Sequence, residues 1–322
     1  METIDLKRYA ATAAARRRPW HRNYFAMYSS VLGGITTEPL LMTAPLDDHM
    51  VHRGDGVFEA FKFLDGGLYN FAAHLERLQR SAAALSLALP LAPGDIRRVT
   101  IETVRVAGVR EGVVRLFVSR GPGSFDAAPG TACGAQLYVA VTARSAPFMD
   151  RHPQGAVLGK SAHLSKPPAQ ARVKSCNYLI NALMKMEAAE RGLDGVVSFD
   201  GAGRMREGAT ENIGLVSAEN VLMFPDPDHM LRGTTMIRVM ELARSLLKEG
   251  RLEGVQFCDI TETEICRARE MLIVGTTWDV SLARAFEGRP VGAGRPGPVY
   301  RALRALLEDD MRRNPRMRDE IY

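Results

Sequence analysis

The sequence predicts an α+β protein of two domains. Three observations carry that expectation. The chain has 322 residues and 46% apolar content, more than one ordinary small core requires. A strand hairpin near residue 60 runs directly into an amphipathic helix. A proline-rich stretch then interrupts regular structure near the middle of the chain.

The elements follow in order. Val57 to Phe63 reads as a strand and Leu68 to Phe71 as its partner. Asp65-Gly66-Gly67 between them is hairpin chemistry, because such turns need positive φ. His74 to Leu87 reads as a helix with Leu75, Leu78, Ala82 and Leu85 on one face. Val113 to Val118 and Gln136 to Thr142 read as strands joined by a Gly/Pro-rich loop from Gly121 to Gly130. Pro147, Pro153 and Lys166-Pro167-Pro168 mark a connection. The expected small N-terminal domain is 1–148 and the larger C-terminal domain 149–322. In the second, a helix from about Asn177 to Arg191 aligns Leu179, Leu183 and Met186, and Gly192 stops it. Strands follow at Val196 to Phe199, Ile213 to Val216 and Val221 to Phe224. A second helix starts after Gly233-Thr234-Thr235, with Val239, Leu242 and Leu246 on one face. Met271 to Val274 is a buried strand leading into Gly275-Thr276-Thr277.

The net charge is +5, but 42 basic residues are interleaved with 37 acidic ones. No aromatic-studded basic stripe appears, so the reading is no nucleic acid and a mildly basic surface suited to anionic substrates. Cys133, Cys176, Cys258 and Cys266 have no paired spacing, which fits a reducing cytoplasm. No apolar run approaches the ~20 residues of a membrane span. Arg16, Arg17 and Arg18 follow an Ala-rich stretch, but Glu2 and Asp5 argue against a transit peptide. A helix docking on the fold is the expected role of that segment.

Singly, the candidate residues have bland readings: a solvated lysine, a turn glutamate, a threonine N-cap, a surface arginine. As a set they supply what a phosphorylated pyridine aldehyde needs. It requires an amine, a carboxylate for its ring nitrogen, phosphate donors and shelter from water. A helix start favours an anion through free N–H groups and the dipole, and arginine adds a charge-assisted grip.

The runs His52-Arg53-Gly54-Asp55-Gly56-Val57-Phe58-Glu59 and His74-Leu75-Glu76-Arg77-Leu78 resemble the opening signature of class IV (fold type IV) aminotransferases. Lys174-Ser175-Cys176-Asn177-Tyr178-Leu179 resembles that family's cofactor-lysine segment, and Glu207-Gly208-Ala209-Thr210-Glu211-Asn212 its ring-nitrogen segment. Leu231-Arg232-Gly233-Thr234-Thr235 and Gly275-Thr276-Thr277 resemble its phosphate loops. The resemblance implies a two-domain fold with a β-barrel-like core in the larger domain, and pyridoxal 5'-phosphate as cofactor. It implies Lys174 as the Schiff-base lysine and proton carrier, and Glu207 as partner of the pyridinium. Arg77, Thr234, Thr235 and Thr276 would hold the phosphate. Tyr178 and Thr210 would approach the ring, although Tyr178 is one residue nearer the lysine than in branched-chain enzymes.

Substrates would be an amino acid and a 2-oxo acid. Phe58, Phe125 and Ala127 stand where bacterial D-amino acid transaminases carry a carboxylate trap, so that trap is absent. Branched-chain enzymes use Tyr-x-Arg; here Val113 replaces the tyrosine while Arg115 remains. Ala26-Met27-Tyr28-Ser29-Ser30 and Gly121-Pro122-Gly123-Ser124-Phe125 look most like plant-type D-amino acid transaminases. For the donor's carboxylate, Arg53, Arg115 and Arg120 are cationic candidates, each with an ion pair or solvation as its alternative. Arg115 is expected to face the pocket, with Phe58, Arg53 and Thr277 also on the substrate side. The resemblance further implies a homodimer whose site borrows residues from a neighbouring subunit. The alternatives are an aminodeoxychorismate lyase, a branched-chain aminotransferase, and, from another class, a non-catalytic cofactor carrier or nucleic-acid binder.

Overall fold

The structure, a computed structural model, describes residues 3–322; the first two positions of the expected small domain lie outside the described residues. The chain forms two compact units. The first runs through Arg144 and takes in Ser175–Asn177 and Arg318–Tyr322; the second comprises Ser145–Lys174 and Tyr178–Met317.

The first unit is built on a seven-stranded sheet. Its strands are β1 (Tyr24–Ser29), β2 (Gly34–Thr36), β3 (Gly56–Leu64), β4 (Gly67–Tyr69), β5 (Gly112–Ser119), β6 (Gln136–Thr142) and a last strand, Arg318–Glu320. The order is Arg318–Glu320, β4, β3, β5, β6, β1, β2. The β3–β4 turn uses Asp65 at φ 51° and Gly66 at φ 81°, so the hairpin needs only two residues and Gly67 already pairs with Leu64. Asn70 at φ 54° then turns the chain, and Phe71 opens the helix Phe71–Ala84 instead of closing the strand.

Alternation sorts the sheet's faces. Phe61 and Phe63 of β3, Val114 and Leu116 of β5, and Val139 and Val141 of β6 are all buried. The helices Phe71–Ala84 and Pro93–Ala107 pack on the sheet and bury Leu78, Ile96 and Val104, each apolar side chain contributing about 1.5–3 kcal/mol. The opposite face carries Phe58, Ala60, Arg115, Phe117 and Ala140, all only half-buried. The N-terminal helix Leu6–Ala13 forms and fully buries none of its residues; Leu6 is 88% exposed, and Tyr9 touches the fold by donating to the Leu40 carbonyl at 3.5 Å.

The second unit holds β7 (Ala156–Lys160), β8 (Gly195–Phe199), β9 (Met205–Gly208), β10 (Asn212–Val216), β11 (Val221–Phe224), β12 (Gly254–Phe257), β13 (Glu270–Gly275), β14 (Asp279–Phe286) and β15 (Arg289–Pro290). Its sheet runs β12-β11-β10-β13-β14-β7-β8-β9, and β9 pairs back onto β10. That pairing closes β10, β13, β14, β7, β8 and β9 into a six-stranded barrel, the expected core. A closed sheet has no free edge, and β8 and β10 are buried throughout. The helix Leu179–Glu190 packs beside β8 through Met184 and Ala188, which cluster with Val196 and Ala209. The stripe read from the sequence points the other way: Leu179 is 65% and Met186 57% exposed.

Candidate active site

The barrel seam places the first functional group. β9 and β10 meet where Glu207 lies opposite Asn212. At the end of β9, Gly208 N–H donates to the Glu211 carbonyl at 2.8 Å, a turn so tight that a Cβ at Gly208 would lie 2.6 Å from Glu211 Oε1. Glu207 Oε2 accepts the Leu231 N–H at 3.1 Å. The Leu231 carbonyl in turn accepts Asn212 Nδ2 at 2.9 Å. The seam and the loop before the helix Thr234–Lys248 are therefore tied at both polar groups of one residue.

Lys174, Tyr178, Glu207 and Leu231 line one cavity of the second unit. Lys174 and Tyr178 are both half-buried, and Tyr178 is the N-cap of the helix Leu179–Glu190. Asn181, one turn on, also lines the cavity; its Nδ2 donates to the Ala209 carbonyl, and its Oδ1 is buried without a partner among the described residues. Burial pushes the Glu207 carboxyl up, and Lys166, the Leu231 N–H and Lys174 pull it back, with Glu211 opposing them.

The helix Thr234–Lys248 starts at N-cap Gly233, which offers no side-chain cap. Thr234 and Thr235 are buried in its first turn. Gly233 is required by space: a Cβ would meet Asn212 Oδ1 at 2.0 Å. Thr276 and Thr277 follow β13, the first half-buried and the second exposed. Thr210 is exposed, and its hydroxyl donates to Glu211 Oε2 at 2.5 Å.

The remaining expected residues lie in the first unit. Arg77 is not a surface residue: it is 5% exposed and bidentate to Glu59, at 2.8 and 2.7 Å. His74 Nδ1 lies 2.6 Å from the same carboxylate. Burial alone would raise Glu59, but Arg77 and His74 outweigh it and hold the carboxyl at about 2. Phe58 stacks on Phe117 at 5.8 Å. Arg115 donates to Thr142 Oγ1 at 2.5 Å, and burial pushes its guanidinium down. Among the described residues no carboxylate lies within ion-pair distance of Arg115. Arg53 is exposed and donates to the Phe125 carbonyl at 2.8 Å. Arg120 takes the structural alternative, gripping Asp55 through Nε at 2.8 Å and Nη2 at 3.0 Å.

The sequence reading missed Lys166, Asn181 and Asn212. Lys166 sits in a stretch that reads as linker, Asn181 lies outside every motif, and Asn212 closes the Glu207–Asn212 run without a role assigned to it. An amine, a carboxylate and an uncapped helix start in one unit can hold an anionic aldehyde cofactor and move protons beside it.

The comparisons with known proteins agree. The amino-transferase class IV family model matches residues 56–286. A chloroplastic D-amino-acid transaminase of Arabidopsis thaliana is 37% identical over 295 residues, 91% of this chain and 78% of that protein. A putative branched-chain-amino-acid aminotransferase of Methanocaldococcus jannaschii is 28% identical, over 81% and 89% of the two chains. Among solved structures, the T.th. branched-chain amino acid aminotransferase with pyridoxamine 5'-phosphate superposes with a TM-score of 0.85 at 25% identity, covering 93% of this chain and 99% of that one.

Proposed function

Since this chain belongs to the class IV aminotransferases, enzymes that move an amino group between an amino acid and a 2-oxo acid on pyridoxal phosphate, we propose that Lys174 is its cofactor lysine and D-amino acids its donors. The cavity shared by Lys174, Tyr178 and Glu207 carries the first part. The 37% identity to a D-amino-acid transaminase supports the second.

The residues fit the cofactor. Lys174 offers a primary amine, Glu207 a carboxylate already held by one N–H, the uncapped helix start a phosphate seat, and Asn181 Oδ1 a buried acceptor in want of a donor. When bound, pyridoxal phosphate supplies the ring that accepts electrons from the donor's Cα. Glu207 would hold a proton at the ring nitrogen. Lys174 Nζ would take the Cα proton of the donor as general base. Thr234, Thr235, Thr276 and Arg77 would hold the phosphate, and Glu59 fixes the Arg77 fork. Thr210 and Tyr178, which line the same cavity, would approach the ring.

Arg115 receives the donor's carboxylate. A half-buried guanidinium with a hydroxyl but no carboxylate at ion-pair distance is incompletely compensated, and an anionic ligand completes it. Phe58 gives the donor's side chain an apolar wall, and Arg53 and Thr277 stand at the substrate side. We place the enzyme in the cytoplasm as a homodimer. The four free cysteines support the first point, and the exposed Leu179 and Met186 support a second copy covering that helix face. Among the described residues no helix is long and apolar enough to cross a membrane.

A half-reaction panel tests the donor class. D-alanine and other D-donors are expected to convert the bound cofactor to its amine form, read by absorbance. Faster conversion by L-valine or L-leucine would favour the branched-chain reading, and release of 4-aminobenzoate from aminodeoxychorismate the lyase.

A further inference from the structure

Lys166 shares the cavity of Lys174, Tyr178 and Glu207, and the functions assigned so far leave it unused. Its ammonium lies 5.3 Å over the centre of the Tyr178 ring, in the range of a cation–π contact. Pro167 and Pro168 follow it directly and restrict the backbone on which it stands. The ammonium is thus held against one wall of the cavity. Burial pushes it down, and Glu207 pulls it back. Glu207 in turn feels Lys166 ahead of the Leu231 N–H and Lys174, with Glu211 acting in the opposite sense.

A carboxylate that serves a ring nitrogen has to stay charged, and burial works against that. Lys174 is an unreliable partner for this purpose. Its amine changes charge whenever it is bound to an aldehyde or carries a proton in the reaction. The chemistry proposed above asks neither of Lys166. We infer that Lys166 is a positioning residue that keeps the Glu207 carboxylate charged from within their shared cavity, and so sets how firmly the cofactor ring is held. The inference rests on the role given to Glu207 above.

The test compares Lys166→Met, which keeps length and loses charge, with Lys166→Arg, which keeps the charge. In the full chain freed of cofactor, carboxyl carbon NMR with Glu207→Gln as the assignment control reads the Glu207 titration. Lys166→Met is expected to move that titration to higher pH, and Lys166→Arg to restore it. In the holoenzyme, Lys166→Met is expected to raise the pyridoxal phosphate dissociation constant about tenfold, while Lys166→Arg stays near wild type. An unmoved Glu207 titration in Lys166→Met overturns the inference whatever the cofactor does. So does a Lys166→Arg variant that titrates like Lys166→Met. Failure of the underlying reading shows separately, as a Glu207→Gln enzyme that turns over donors at the wild-type rate.

Discussion

The backbone N–H of Leu231 donates to Glu207 Oε2 at 3.1 Å. This bond joins the barrel seam to the loop that opens the helix Thr234–Lys248, so the acid proposed for the ring nitrogen and the seat proposed for the phosphate share one framework. Glu207→Gln keeps the shape and removes the charge. We expect kcat for transamination to fall about 100-fold or more, the scale of losing one electrostatic partner in a site, with cofactor still bound. Steady-state kinetics on holoenzyme check this, and an unchanged kcat would remove Glu207 from its role.

Gly233 is the tightest point of that framework. An added methyl would lie 2.0 Å from Asn212 Oδ1, and Asn212 holds the Leu231 carbonyl. Gly233→Ala is expected to cost about 1–3 kcal/mol of stability, as overpacking does, and to weaken cofactor retention. Urea melts and dialysis against buffer read the two effects; a variant as stable and as yellow as wild type would contradict them.

Glu59 links folding to acid. Its carboxyl is held at about 2, because Arg77 and His74 outweigh the upward push of burial. A depressed carboxyl contributes stability above its unfolded value, near 4.3, and that contribution is lost as pH falls through about 2. Unfolding free energy should therefore decline from about pH 4.3 down to about 2. Glu59→Gln should flatten that limb and cost about 3–5 kcal/mol at neutral pH, since it strands a buried guanidinium. Denaturant titrations at several pH values measure both.

Arg115→Ala should raise KM for every amino donor at least tenfold and change kcat less, the pattern of lost binding common to ground and transition states. Initial-rate kinetics over several donors test it. An unchanged KM would return Arg115 to a purely structural part in its strand, bonded to Thr142.

The legible parts of the molecule were those with local signals. The Asp65-Gly66 turn, the strands flanking it and the helix start at Thr234 follow from φ preferences and periodicity, and they stand within a few residues of their expected places. The helix Pro93–Ala107 escaped notice although Pro93 at its start and Gly108 at its end are stop-and-start residues. The face of the helix Leu179–Glu190 was misread because apolar spacing does not say which side meets the core: Met184 does, Leu179 does not. Arg77 and Arg120 show the same limit for charge. Whether an arginine is solvated or locked to Glu59 or Asp55 depends on strands that lie near it only after folding. Lys166 was hidden for a related reason, since its neighbours Tyr178 and Glu207 are brought to it by the barrel.

Borohydride reduction of the holoenzyme, followed by peptide mapping, bears most directly on the account. It predicts one reduced phosphopyridoxyl group, on the peptide carrying Lys174. A label on Lys166, on any other lysine, or on none would contradict it.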